Sequence, residues 1–131
     1  MDYKELAQKA IDAKSKAVAT YSNFHVGSAI LTKAGKIYQG ANIENSSYGL
    51  TICAERTAVF TAVLDGEREF EAVAIASDLD GFCSPCGACR QVLLDLCGKD
   101  VDIVLVDSKS NLRTYKLQEL IPHSFGEENL K

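Results

Sequence analysis

The stretch TICAERTAVFTAVL, residues 51–64, begins with a thiol, a carboxylate and a guanidinium and then becomes almost wholly apolar. Its apolar residues predict a buried helix over 53–65. A buried carboxylate is costly unless it has a partner or a chemical task. The placement of Cys53, Glu55 and Arg56 at the start of such a helix therefore indicates a functional site at the helix tip.

The rest of the chain alternates between helical and strand-like patterns. Apolar periodicity predicts a first helix over 3–19 and then a hairpin of two strands, 24–32 and 36–44. Downstream of the helix at 53–65, the predicted elements are strand 71–78, helix 86–97, strand 101–107, strand 112–117 and a helical turn at 117–121. This order favours a three-layer α/β/α fold with a mixed five-stranded sheet. No linker or repeat interrupts it, so residues 1–131 are predicted to form one domain.

The composition and charge of the chain disfavour several classes of function. The chain has 131 residues, of which 47% are hydrophobic and 24% charged, and its net charge is −4. An acidic balance disfavours nucleic acid as a partner, and no apolar run approaches the roughly 20 residues of a membrane span. The polar N-terminus does not resemble a secretory signal. We therefore expect a cytoplasmic protein that binds neither nucleic acid nor membrane.

Two cysteines have the spacing of metal ligands. Cys86 and Cys89 lie three residues apart at a predicted helix start marked by Pro85, so their thiols share one helix face. Two thiols in this arrangement suit a tetrahedral zinc ion. Cys53 is the natural third ligand, because the loops at 45–50 and 79–85 both follow a strand and lead into a helix at the same sheet edge.

Other interpretations of the five cysteines remain open. Cys83, Cys86 and Cys89 spell C-x2-C-x2-C, as at the start of an iron–sulfur motif, but the next cysteine, Cys97, is too distant and precedes no proline. A closed zinc site of four cysteines, with Cys83 as the fourth, would leave no open position for chemistry. Otherwise Cys83 and Cys97 are ordinary buried thiols.

The carboxylate and guanidinium fit a metal site in different ways. Side chains two apart on a helix diverge by about 200°, so Glu55 can lie beside a metal held by Cys53 without ligating it. Three thiolates give a zinc site a net negative charge, which helix N-termini and Arg56 can offset. The alternatives are that Glu55 only complements the helix dipole and that Arg56 forms a salt bridge to Glu55 or to a surface acid.

These motifs resemble those of the zinc-dependent cytidine deaminases. That family combines a Cys or His and a Glu two residues later with a P-C-x-x-C motif; here these are CAE (53–55) and PCGAC (85–89). The resemblance covers nearly the whole chain and extends to GANIENSSYG (40–49), CAERTAVF (53–60), SPCGACRQVL (84–93) and Phe125. The chain is most similar to the short, homotetrameric branch that uses three cysteine ligands.

The resemblance implies a chemistry. One zinc ion per subunit would be held by Cys53, Cys86 and Cys89, with water as the fourth ligand. The activated water would add at C4 of cytosine, while Glu55 passes protons to N3 and to the departing amine. The expected reaction is hydrolysis of cytidine and deoxycytidine to uridine, deoxyuridine and ammonia, as in pyrimidine salvage.

The resemblance also implies the substrate contacts. Asn42 and Glu44 would bind the ribose hydroxyls, which suits an amide and a carboxylate projecting to one side at a strand end. Phe24 would lie beside the base, the backbone at Ala54 would hold the pyrimidine carbonyl, and Tyr48 and Phe125 would reach a neighbouring subunit's pocket in a homotetramer with shared active sites. The alternatives are turn chemistry for the polar pair and local packing for the aromatic rings.

Related deaminases offer competing functions. Those acting on polynucleotides or guanine usually use histidine in an H-x-E motif, and neither His25 nor His123 lies in one. Blasticidin S deaminases share the three-cysteine site, but the NIEN segment (42–45), Arg56 and Phe125 favour cytidine. A zinc-stabilised binding module without activity would leave Glu55 dispensable.

Overall fold

A computed structural model describes residues 2–130 of the protein. Its helices and strands follow the predicted order, and their bounds are α1 Lys4–Ala13, β1 Val26–Thr32, β2 Ile37–Ala41, α2 Ala54–Leu64, β3 Phe70–Ser77, α3 Gly87–Cys97, β4 Asp102–Val106, β5 Leu112–Lys116 and α4 Leu117–Leu120. Short 3₁₀ turns occupy Lys14–Lys16, Tyr48–Leu50 and Glu127–Leu130. Among the helices of residues 2–130, none has the length and apolar character that crossing a membrane requires.

The five strands form one mixed sheet in the order β2-β1-β3-β4-β5. Among these five strands of residues 2–130, β3 and β4 are the one parallel pair, and the crossover between them contains α3. Both β2 and β3 run antiparallel to β1, so their carboxyl ends lie at the same edge of the sheet. The chain leaves each of these ends through a loop and enters a helix, which brings the tips of α2 and α3 together.

Helices cover both faces of the sheet, and the predicted three-layer α/β/α fold is confirmed. One face is built from small side chains such as Ala29 and Ala74, and α1 packs on it. The other face carries larger residues such as Ile75 and Ile103 beneath α2 and α3. Because each face is covered, β3 is buried on both sides, which explains its nearly continuous apolar sequence.

The first helix is shorter than predicted. It ends at Ala13 instead of residue 19, and after the 3₁₀ turn the chain is extended at Val18. The Val18 N–H donates to the Asn42 carbonyl (2.9 Å), and the Glu44 N–H donates to the Val18 carbonyl (2.9 Å). This pairing of distant backbone segments overrides local helical periodicity. It also brings residues 20–24 beside Asn42 and Glu44.

Close packing fixes α2 against the end of β2. A Cβ on Gly40 would lie 2.3 Å from the Ala58 nitrogen and 2.4 Å from the Ala54 oxygen, so only glycine allows this approach. The Thr57 hydroxyl accepts from the Ala41 N–H at 3.0 Å and lies 2.9 Å from the Ala41 carbonyl. The start of α2 is therefore held in a set position relative to the residues that follow β2.

Candidate metal centre and substrate cavity

The three cysteines expected to bind metal converge at the tips of two helices. Cys53 is the N-cap of α2, Cys86 is the N-cap of α3, and Cys89 lies buried in the first turn of α3. Their sulfur atoms all lie within 4.8 Å of one another, and Cys53 and Cys86 are 3.8 Å apart. Tetrahedral zinc with Zn–S bonds of about 2.3 Å separates its sulfurs by about 3.8 Å. The donor set and its spacing therefore fit zinc.

Hydrogen-bond donors point at these sulfurs. The Cys89 N–H donates to Cys86 Sγ (3.4 Å), and Arg56 Nη2 donates to Cys53 Sγ (3.5 Å). The pKa of Cys53 is lowered to about 5, chiefly by a hydrogen bond with Cys89 and also by Arg56. The same thiol pair, together with burial, raises the pKa of Cys89. One thiolate is thus already favoured in the cluster, and binding of a metal would release the remaining thiol protons.

Arg56 is directed toward sulfur. Within residues 2–130, no ion pair joins its guanidinium to Glu55 or to a surface acid. Its Nε atom is buried and has no hydrogen-bond partner in the part of the chain that the structure describes. Hydrogen bonding to Cys53 raises the pKa of the guanidinium, so Arg56 carries a full positive charge beside the thiolates.

The two remaining cysteines lie outside the cluster. Cys83 does not belong to the group of mutually close metal ligands, and burial raises the pKa of its thiol. Cys97 is the last residue of α3, where burial raises its thiol pKa to about 12. The arrangement therefore favours three cysteine ligands over the closed four-cysteine site and the iron–sulfur motif.

Glu55 is buried in the first turn of α2, with only 4% of its surface exposed. Burial raises the pKa of its carboxyl to about 7. A carboxyl that titrates near neutrality can both accept and donate a proton, as general acid–base catalysis requires. Glu55 also lines a cavity of about 220 Å³ together with Cys53 and Cys86.

A second cavity adjoins the first. It has a volume of about 410 Å³, and its lining includes Tyr21, Ser22, Glu44 and Tyr48. Thr51 lines both cavities, so the two are neighbours along the segment that leads into α2. We call the two cavities together the depression; Cys53 and Cys86 line its smaller cavity, and Glu44 lines its larger one.

Asn42 and Glu44 follow the end of β2 and project to the same side. Asn42 Oδ1 accepts from the Val26 N–H (2.9 Å), and its Nδ2 donates to the Phe24 carbonyl (2.9 Å) and to Glu44 Oε2 (3.3 Å). Asn42 lines the cavity of Glu55, whereas Glu44 lines the neighbouring one. The pair therefore spans the boundary between the two cavities.

The other expected substrate contacts are distributed differently. Ala54 is buried at the start of α2 and lines the cavity of Glu55. Tyr48 lines the larger cavity, yet 77% of its surface is exposed. Neither Phe24 nor Phe125 is among the residues of 2–130 that line the two cavities. Phe125 is 60% exposed, and its carbonyl accepts a hydrogen bond from Gln91 Nε2 (2.8 Å).

Sequence reasoning missed the contribution of two hydroxyl residues. From sequence, neither Ser22 nor Thr51 is assigned a role, yet both line the depression. The signal for Ser22 was the polar turn Tyr21-Ser22-Asn23, which follows the segment that pairs with Asn42 and Glu44.

This arrangement defines a zinc-binding deaminase. Residues 1–105 match the family model described as the cytidine and deoxycytidylate deaminase zinc-binding region. The chain therefore belongs to this family, and the family's zinc-binding character together with the cysteine cluster assigns zinc as its cofactor.

Several known cytidine deaminases resemble the chain over nearly their whole length. The chain is 44% identical to a cytidine deaminase of Sporosarcina psychrophila, an alignment that covers 99% of this chain and 96% of that protein. It is also similar to the crystal structure of cytidine deaminase from Burkholderia pseudomallei, with a TM-score of 0.92, 42% identity, and coverage of 95% of this chain and 100% of that one. For the cytidine deaminase structure from Mycobacterium tuberculosis, the TM-score is 0.84 at 37% identity, with 96% and 98% coverage.

Proposed function

We propose that this protein is a zinc-dependent cytidine deaminase that hydrolyses cytidine and deoxycytidine to uridine, deoxyuridine and ammonia. The observation that carries the proposal is the buried carboxyl of Glu55, which lines one cavity with Cys53 and Cys86 of the cysteine cluster. A metal site alone would serve a structural role equally well. A buried carboxyl with a pKa of about 7 beside an open three-thiol site is suited to moving protons during hydrolysis.

Cys53, Cys86 and Cys89 would hold the metal. A zinc ion with three protein ligands acidifies water and so supplies the nucleophile for hydrolysis. Arg56 offsets the negative charge of the thiolates, so that the site remains electron-withdrawing. Its hydrogen bond to Cys53 Sγ (3.5 Å) places the positive charge where it is needed.

Glu55 acts as the proton carrier. Its carboxylate accepts a proton from the attacking water and donates it to N3 of the cytosine ring. After the water oxygen has added at C4, the same carboxylate takes the remaining proton of the new C4 hydroxyl and delivers it to the amine. The C4–O double bond forms as the C4–N bond breaks, so that ammonia leaves as a neutral molecule. Because Glu55 lies on the first turn of a helix that packs in the core through Ala58, Val59 and Ala62, its carboxyl has little freedom to move away from the reacting atoms.

The remaining contacts orient the nucleoside. The backbone at Ala54 lies in the first turn of α2, where N–H groups have no partner within the helix and can bind the pyrimidine carbonyl. Phe24 lines neither cavity, but its carbonyl accepts from Asn42 Nδ2 (2.9 Å), and Asn42 lines the cavity of Glu55, so we place Phe24 at the edge of that cavity, beside the base. Asn42 and Glu44 bind the sugar hydroxyls. The base therefore occupies the cavity of Glu55, and the sugar extends toward the neighbouring cavity of Glu44.

Charge favours nucleosides over nucleotides. The residues from 2–130 that line the two cavities include Glu44 and Glu55 but no lysine, arginine or histidine. A 5′-phosphate would meet carboxylates without a compensating cation, and the net charge of −4 disfavours polynucleotides as well.

Exposed apolar side chains support a homotetramer with shared active sites. Leu50, Tyr48 and Phe125 are 66%, 77% and 60% exposed, and Leu64 at the end of α2 is 88% exposed. Contact with a neighbouring subunit would bury these side chains. We place Tyr48 and Phe125 at a neighbouring subunit's pocket and assign the enzyme to cytoplasmic pyrimidine salvage.

A substrate screen with zinc analysis of the same sample tests the function. We expect one zinc per subunit, loss of the ultraviolet absorbance of cytidine and deoxycytidine on deamination, and little turnover of cytidine 5′-monophosphate. Turnover of blasticidin S alone would replace cytidine and deoxycytidine as the assigned substrates. A zinc-loaded protein inactive toward all of these substrates would instead be a zinc-stabilised binding module.

A further inference from the structure

The Glu44 carboxylate is held by a short turn that contains Tyr21 and Ser22. Its Oε1 accepts the main-chain N–H groups of Tyr21 and Ser22, both at 3.0 Å. Its Oε2 accepts the Ser22 hydroxyl in a short hydrogen bond and, more loosely, Asn42 Nδ2 at 3.3 Å. Ser22 therefore supplies two of the four hydrogen bonds to this carboxylate.

The turn is built for this contact. Asn23 has a left-handed backbone with φ of 53°, which reverses the chain directly after Ser22. The Phe24 N–H donates to Ser22 Oγ (3.0 Å), so the serine oxygen accepts one hydrogen bond while its hydroxyl donates to Glu44. Two consecutive N–H groups that point at one oxygen form an anion-binding concavity, here filled by the protein's own carboxylate.

The four hydrogen bonds to the Glu44 carboxylate identify the acceptor site at which a ligand can replace a group of the protein. A carboxylate offers about four acceptor sites, and all four are occupied by groups of the protein. The Asn42 contact is the longest of the four, so it is the contact that a sugar hydroxyl can replace most readily. That hydroxyl would donate to Glu44 Oε2 and accept from Asn42 Nδ2. Hydrogen bonding from Ser22 lowers the pKa of Glu44 and keeps it an acceptor.

We propose that Ser22 is a positioning residue for sugar recognition, which acts by fixing the Glu44 carboxylate so that one acceptor site faces the sugar hydroxyl. This inference rests on the proposed function, because it requires Glu44 to contact the sugar. Ser22 itself need not touch the substrate.

The variant Ser22→Ala removes the hydroxyl and keeps both main-chain N–H contacts. Loss of this charge-assisted hydrogen bond is expected to raise KM for cytidine about tenfold, with kcat changed by less than about twofold. KM for 2′,3′-dideoxycytidine, which has no sugar hydroxyl at these positions, should remain near the wild-type value. Ser22→Thr, which restores a hydroxyl, should recover most of the cytidine KM.

The matched control is Ser15→Ala. It removes a serine hydroxyl that donates to the Asp12 carbonyl at the end of α1, and we expect wild-type kinetics. A second test combines Ser22→Ala with Glu44→Gln. Because Ser22 acts through Glu44, its substitution should change KM by less than about twofold in that background.

The outcomes separate this inference from the proposed function. An equal KM increase for both nucleosides, a decrease in kcat alone, or an unchanged or lower KM for cytidine would overturn the role of Ser22. Failure of the wild-type enzyme to deaminate cytidine would overturn the proposed function itself. Melting temperature and zinc content, measured for every variant, should match those of the wild type.

Discussion

The two ends of the depression are built by different means. At the metal end, Cys53 and Cys86 cap two helices, and Cys89 lies one turn into the second. At the sugar end, Glu44 and the turn at Tyr21–Ser22 lie in irregular chain held by hydrogen bonds between distant segments. Regular helices thus position the residues proposed for the chemistry, whereas backbone pairing positions those proposed for recognition of the sugar.

This difference predicts that activity is more sensitive to substitutions at the metal end than at the sugar end. At the metal end each side chain has a task that no neighbour can take over, so single substitutions should abolish or strongly reduce activity. At the sugar end several hydrogen bonds together hold Glu44 in position, so single substitutions should mainly change KM. The predictions below run from the metal end to the sugar end, and their expected effects decrease in that order.

The largest effect is expected from Cys86→Ser. Serine is a good N-cap and can still accept the Cys89 N–H, so α3 should remain capped. Removal of the thiol ligand leaves two cysteines, which is too few for the three-ligand site. We expect the purified variant to lose most of its zinc and its activity to fall below detection, as measured by metal analysis and deamination assay.

Cys83→Ser is the matched control, since it changes a thiol three residues earlier that lines the same cavity. It should retain one zinc per subunit. Loss of zinc from this variant would instead support the closed four-cysteine site, and retained zinc in Cys86→Ser would refute the three-ligand assignment.

The next largest effect is expected from Glu55→Gln, which preserves shape but cannot accept a proton. General acid–base catalysis typically contributes 10²–10⁴-fold, so we expect kcat to fall by roughly that factor. Zinc content should be unchanged, because Glu55 is not one of the clustered ligands. Steady-state kinetics with metal analysis of the same preparation provides the measurement.

Glu5→Gln is its control. Glu5 is an acid in the first turn of α1, as Glu55 is in α2, so both substitutions remove the same helix-dipole interaction. Normal kinetics in Glu5→Gln and a large loss in Glu55→Gln would rule out the simple dipole role. Similar small effects in both variants would remove Glu55 from the mechanism.

An intermediate effect is expected from Arg56→Gln. Loss of the positive charge beside Cys53 leaves the thiolate site more negative and less able to acidify water. Substitution of groups that support metal ligands commonly costs 10–100-fold, and we expect kcat to fall by about that factor. The acidic limb of the kcat/KM profile should move to higher pH.

Arg68→Gln changes an arginine beyond the opposite end of α2, where the guanidinium donates to the Val63 carbonyl, and should leave this profile in place. An unshifted profile in Arg56→Gln would limit Arg56 to a packing role.

Much of the metal end was predictable from sequence because its signals are local. The spacing of Cys86 and Cys89, the apolar run after Cys53 and the apolar centre of β3 each fall within a few residues. Local periodicity also identified the three layers and the five strands.

The sugar end was not predictable in the same way. The helical pattern continued through Val18, and only the pairing of Val18 with residues 42–44 ends it. No local sequence pattern indicates a β-bridge between segments some 25 residues apart. The contact of Ser22 with Glu44 depends on this bridge, so it emerged only in three dimensions.

The smallest effect is expected at Asn23, and it tests whether the left-handed turn matters for recognition or only for stability. Asn23→Val places a β-branched residue at φ of 53°, which should cost about 1–2 kcal/mol of folding free energy. Ser110→Val imposes a similar strain at φ of 64° in the turn between β4 and β5. Urea denaturation should therefore show comparable losses for the two variants.

Kinetics should then separate these equally strained variants. Because the turn at Asn23 aims Ser22 at Glu44, Asn23→Val should raise KM for cytidine by about threefold, whereas Ser110→Val should leave it unchanged. Zinc content should be normal in both, since neither turn holds a ligand. An equal KM for cytidine in the two variants would mean that the turn at Asn23 only stabilises the fold. The difference between a helical metal end and a turn-built sugar end would then be structural and would have no effect on recognition.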